Sequence, residues 1–233
     1  MPLESLLLTA SACAAVGGVL GWWPLAAWVE RSLRAPEGAP RRMSRQTVRV
    51  AACATAAACF GLIGLRFGDA WVLPALLAFA ASATVLSFVD LMEHRLPNAV
   101  VFPSLALVAA LCLVASPLSG RPIAFVWALV GSGAMFALYL LIALISPGAM
   151  GMGDVKLALL IGFVLGWFGL SAWVVGLLGA FVVGGVVSIV ALAMRRVTLR
   201  GSIPFGPSML VGALLAVLLV GDAPSRFGLA TIG

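Results

Sequence analysis

Charge is what this chain has least of. Asp, Glu, Lys and Arg make up 9% of its 233 residues, while 63% are hydrophobic, and the mean hydropathy is +1.18. So little polar surface cannot cover a water-soluble globule, and that class is excluded. Short segments of alternating polarity are also missing, which excludes a membrane β-barrel. The four cysteines, Cys13, Cys53, Cys59 and Cys112, include no Cys-x-x-Cys pair, so neither a zinc knuckle nor a redox pair is encoded. All four fall in apolar stretches and read as small packing residues. The first apolar stretch lacks a basic start and is too long for a signal-peptide core, so it reads as a retained helix. There is one histidine, His94; in a polar break it reads as a solvated side chain and not as a proton shuttle.

What the chain has in plenty is apolar runs of about 20 residues, the length that crosses ~30 Å of hydrocarbon. The expected fold is all-α: a polytopic transmembrane helical bundle of eight spans with both termini outside. The spans are expected near 5–29, 50–65, 70–89, 99–115, 123–145 and 207–220, with two more in 157–194, a stretch too long for one crossing and divided near 169–171. Trp22, Trp23 and Trp28 are expected as interfacial anchors and Pro24 as a kink. The pairs Gly17…Gly21 and Gly162…Gly166 predict close helix packing within the bundle.

Eleven of the fourteen Lys and Arg fall in the breaks 30–49, 90–98, 146–156 and 195–206, and only Arg66, Arg121 and Arg226 fall in the others. Basic residues stay on the cytoplasmic side, so the first set is expected inside, and the net charge of +6 reads as topology and not as nucleic-acid binding. Residues 30–49 hold six arginines and two prolines and are expected to lack a fold of their own. The chain divides into an N-terminal helix with this short Arg-rich loop (1–49) and a transmembrane domain carrying the chemistry (50–233).

Two carboxylates stand out. Asp90 opens the break 90–98, and Asp154 lies before the sixth span in Gly151-Met152-Gly153-Asp154-Val155-Lys156. The glycines are expected to give the backbone access to φ > 0 and to close approach. A plainer reading makes Asp154 a helix cap and lets Lys156 snorkel to the headgroups; it explains neither the paired glycines nor the second acid. On the derived topology both acids face the cytoplasm. An acid pair hydrolyses a peptide when one carboxylate, ionised, draws a proton from water and the other, protonated, polarises the scissile carbonyl. A rival class is an ion- or proton-coupled transporter, which favours acids near mid-span and an internal repeat; a structural subunit would leave both acids dispensable.

Phe88-Val89-Asp90 followed by Leu96-Pro97-Asn98 resembles the first-aspartate motif of the type IV prepilin peptidases. Gly151 to Leu157 is similar to that family's Gly-x-Gly-Asp-x-Lys, and Ile203-Pro204-Phe205-Gly206-Pro207 to its stretch before the last helix. The resemblance covers about residues 80–220. It implies a GxGD-type membrane aspartic peptidase of the bacterial inner membrane, with its active site facing the cytoplasm. Such an enzyme removes the short basic leader from prepilin or pseudopilin precursors, and no metal or cofactor is expected. By motif match Asp90 and Asp154 take the catalytic roles. Gly151, Gly153, Lys156, Pro97, Asn98, Pro204, Phe205, Gly206 and Pro207 form the active-site and substrate-binding segments. Many members carry a cytoplasmic domain with two Cys-x-x-Cys pairs, associated with N-methylation of the product. Residues 30–49 hold no cysteine, so the resemblance implies a short form without methyltransferase activity. Asn98 stands where an Asp is also common in the family.

Overall fold

A computed structural model describes residues 3–33, 43–146, 150–194 and 204–221. The expectations for Arg34, Arg41, Arg42, Arg195, Arg196, Arg200, Ile203 and Arg226 lie outside these. All regular structure among the described residues is helical: α1 (Leu3–Leu20), a π-helical turn (Gly21–Leu25), α2 (Ala26–Ser32), α3 (Arg45–Phe67), α4 (Leu73–Glu93), α5 (Asn98–Leu118), α6 (Pro122–Ile145), α7 (Met152–Phe168), α8 (Leu170–Ala193) and α9 (Gly206–Val220). The all-α membrane architecture is as expected. Six rods are long and apolar enough to cross a bilayer: Glu4–Ser32, α3, α4, α5, α6 and α8. The other two of the eight expected spans correspond to α7, with 17 residues, and α9, with 15.

The helices form two compact units, Met1–Gly120 and Arg121–Gly233. In the first, α1 lies against α3 through its glycines. A methyl group on Gly17 would sit 2.6 Å from the Ala56 carbonyl oxygen, and one on Gly21 2.5 Å from that of Ala52. The Gly17…Gly21 pair therefore packs within the bundle, as expected. Pro24 cannot donate to an α-helical ladder, and the rod accommodates it with the π turn. Trp22 and Trp23 stay on the outer surface.

Two boundaries in this unit differ from expectation. The Arg-rich stretch is not wholly without structure, because α3 begins at Arg45. The Ser44 hydroxyl caps it, accepting from the Thr47 amide at 3.1 Å. At the other end of the unit, α5 runs on through Pro117 to Leu118, past the expected end of its span near residue 115.

In the second unit α6 and α7 are antiparallel and close-packed. A methyl on Gly162 would sit 2.5 Å from the Gly131 carbonyl oxygen, and one on Gly166 2.5 Å from that of Trp127. Side chains then fasten the pair: Ser132 Oγ donates to the Leu159 carbonyl at 2.8 Å, and Trp173 Nε1 from α8 donates to the Gly131 carbonyl at 3.0 Å. Such bonds contribute about 0.6–1.7 kcal/mol each between membrane helices. α7 is apolar and buried almost all round, as the central helix of a bundle must be. Gly169, at φ +97°, ends α7 and leads into α8, which puts the division where the sequence placed it. A residue with a Cβ would be strained there.

Candidate active site

The residues of interest lie in two groups, one in each unit. In the first, Leu91, Met92 and Glu93 continue the helix beyond Asp90, so Asp90 is part of α4 and does not open the break. It sits in the last turn and is 4% exposed. The helix stops at His94, which takes the left-handed conformation (φ 51°, ψ 42°) and donates its amide to the Asp90 carbonyl at 2.8 Å. Histidine is among the few residue types besides glycine enriched there. His94 is exposed, as expected for a solvated side chain, but its backbone has this further task. Pro97 then holds the extended conformation that caps α5, with Asn98 as its first residue.

Arg95 was not singled out by the sequence. Its guanidinium pairs with Glu93 through Nε and donates through Nη2 to the Ser32 carbonyl at 2.9 Å, tying the break after α4 to the end of α2. A cleft of about 800 Å³ opens between these segments, with Trp28, Arg31, Arg95, Pro97 and Asn98 on its wall. Two guanidiniums make that wall suited to acidic or carbonyl groups.

In the second group Asp154 is also inside a helix, the third residue of α7, and is half-buried. Gly151 is the N-cap, at φ −72° and ψ 141°, and its carbonyl accepts from the Asp154 amide at 3.0 Å. Neither motif glycine takes the positive φ expected for it: Gly151 is extended and Gly153 helical. What Gly151 provides is proximity, since a methyl there would touch Asp154 Oδ2 at 3.4 Å. Lys156 follows in the same helix, half-buried.

Further along, Phe205 is the N-cap of α9, Gly206 its first residue, and Pro207 stands in its first turn, where a missing N–H costs nothing. Pro204 leads into that cap. The Phe205 ring lies on Gly184 of α8, where a methyl would meet its Cε2 at 2.8 Å, and packs against Phe181 with centroids 5.5 Å apart. The Pro-Phe-Gly-Pro segment is thus anchored to α8 as well as setting the start of α9.

Tyr139, in α6, escaped the sequence reading. It is 1% exposed, stacks on Phe181 and lies within electrostatic reach of Asp154. Among the described residues no three His, Cys, Asp or Glu side chains cluster as metal ligands.

Residues 77–189 match the type IV leader peptidase family. The chain is 32% identical over 173 residues to a prepilin leader peptidase/N-methyltransferase of Bacillus subtilis (strain 168), covering 73% of this chain and 65% of that protein. Proteins of the same description from Stutzerimonas stutzeri and Pseudomonas putida are 30% and 31% identical over 160 residues, covering 68% and 67% of this chain and 54% of each relative. The chain therefore spans less than two thirds of the length of these relatives. No solved structure matches. The rival transporter reading gains nothing: these relatives are named as peptidases, and both acids stand at helix ends, away from mid-span.

Proposed function

Since the chain belongs to the type IV leader peptidase family through residues 77–189, we propose that it is a membrane-embedded aspartic endopeptidase. Its substrates are prepilin or pseudopilin precursors, whose short basic leaders it removes at the cytoplasmic face of the bacterial inner membrane. The observation that carries this reading is that both motif aspartates fall inside the matched region, each in the terminal turn of a helix.

The two roles divide by helix polarity. A helix N-terminus carries about half a positive charge and a C-terminus about half a negative one. Asp154, in the first turn of α7, is stabilised as the anion and takes the proton from the attacking water. Asp90, in the last turn of α4 beside carbonyls that repel an anion, keeps its proton and donates it to the scissile carbonyl. As the gem-diol collapses Asp90 recovers that proton, the C–N bond breaks, and Asp154 passes the water's proton to the leaving amine. Gly151 and Gly153 leave the approach to Asp154 open for a substrate backbone, and Lys156 balances charge. Pro97 and Asn98 shape the segment after Asp90, and Pro204, Phe205, Gly206 and Pro207 that before α9. Eight crossings with both termini outside, and residues 50–233 as the peptidase domain, complete the proposal.

The test is co-expression with a candidate prepilin, followed by mass spectrometry of the product. The expected result is loss of the leader without added S-adenosylmethionine and a free α-amino group on the mature protein. Intact precursor would refute the peptidase; one extra methyl group, about 14 Da, would refute only the short, methyltransferase-free form.

A further inference from the structure

The chain has a single tyrosine, Tyr139, and the geometry assigns it a place beside the proposed base. The buried positions of α6 form one stripe at helical spacing, running through Ala128, Gly131, Ser132 and Met135 to Tyr139, its last member. That stripe faces α7. Gly131 meets Gly162 backbone to backbone, and Ser132 reaches the Leu159 carbonyl. Because the two helices are antiparallel, eight residues onward from Gly131 is level with eight residues back from Gly162, about 12 Å along either axis. Those positions are Tyr139 and Asp154, and the two side chains interact electrostatically. From the other side the ring is held by Phe181, at 6.2 Å between centroids and an interplanar angle of 27°, and Phe181 in turn by Phe205.

We propose that Tyr139 is a positioning residue for Asp154, its hydroxyl donating to the carboxylate and fixing its orientation while the Phe181–Phe205 stack fixes the ring. A phenol beside a carboxylate keeps its proton and acts as donor, and a hydrogen bond to a charged acceptor is about twice as strong as one between neutral groups. The assignment rests on the reading of Asp154 as the catalytic base. It also gives the Phe of the Pro-Phe-Gly-Pro segment an indirect part in catalysis, through the ring it supports.

Tyr139→Phe keeps the stacked ring and removes only the hydroxyl. In membranes containing the full chain, kcat for a prepilin substrate is expected to fall about tenfold, equivalent to about 1.4 kcal/mol, with KM unchanged within about twofold. A kcat within about twofold of wild type overturns the proposal. A second measurement needs no turnover. With one tyrosine in the chain, ring-labelled [13Cζ]tyrosine gives one resonance, which is expected to shift in Asp154→Asn. An unmoved resonance overturns the proposal, whether or not Tyr139→Phe folds. Should the wild type cleave no prepilin, the peptidase reading falls, and the resonance alone decides whether Tyr139 and Asp154 are coupled.

Discussion

Asp90 and Asp154 are the same side chain in opposite settings. One closes α4, the most enclosed of the long helices in its unit; the other opens α7, the most enclosed in its own. One lies among the carbonyls of a last turn and is almost fully buried, the other among the amides of a first turn and is half-buried. The difference teaches that two carboxylates need no difference in residue type to act as acid and base. In the proposed mechanism the ends of the helices that carry them separate the roles.

The largest effects come from attacking that contrast directly. Asp154→Asn is expected to lower cleavage by about 10³–10⁴-fold, because an amide cannot accept the proton from water. Asp90→Asn is expected to lose less, about 10²–10³-fold, because an amide still donates a hydrogen bond to the scissile carbonyl. Quantifying leader removal in membranes where both variants are present at wild-type level checks the order. Equal losses would mean that helix polarity does not divide the roles.

A smaller effect tests the frame that holds Asp154. Gly162→Val presses a branched side chain onto the Gly131 carbonyl and is expected to cost about 1–3 kcal/mol, the range for overpacking. Gly133→Ala, two residues from Gly131 on the open side of α6, meets nothing within 4 Å and is expected to gain up to about 1 kcal/mol of helix propensity. Thermal unfolding in detergent should separate the two by sign.

The smallest effect tests the first unit. Ser44→Ala removes the cap of α3 and is expected to cost about 1 kcal/mol while leaving cleavage unchanged. A matching loss of cleavage would mean that the start of α3 supports Asp90 more directly than its hydrogen bonds indicate.

Much of this was legible in the sequence because membrane chains are written in long apolar words. The division at Gly169 followed from span length, and the glycine pairs from their spacing. Both aspartates stood out against a background nearly free of charge. The sequence misread their positions within helices, because a polar residue was taken as the end of a span when three more helical residues follow Asp90. Tyr139 was illegible for the opposite reason: an aromatic residue inside an apolar run carries no signal until the α6–α7 register sets it level with Asp154. The Arg95–Ser32 link joins residues 63 apart, and no local pattern encodes it. The glycines before Asp154 were read for positive φ and for close approach, and neither takes the positive φ; Gly151 contributes its small size.

The length of α7 carries a consequence of another kind. Its 17 residues rise about 26 Å, a few ångströms less than the ~30 Å hydrocarbon core. Because α7 is enclosed by neighbouring helices it meets little lipid, and the shortfall draws its ends below the headgroups without thinning the bilayer. Asp154 is two residues from one of those ends, so on the proposed mechanism water and substrate come to a carboxylate held below the membrane surface. The depth of that proposed chemistry is thereby set by the geometry of one short helix.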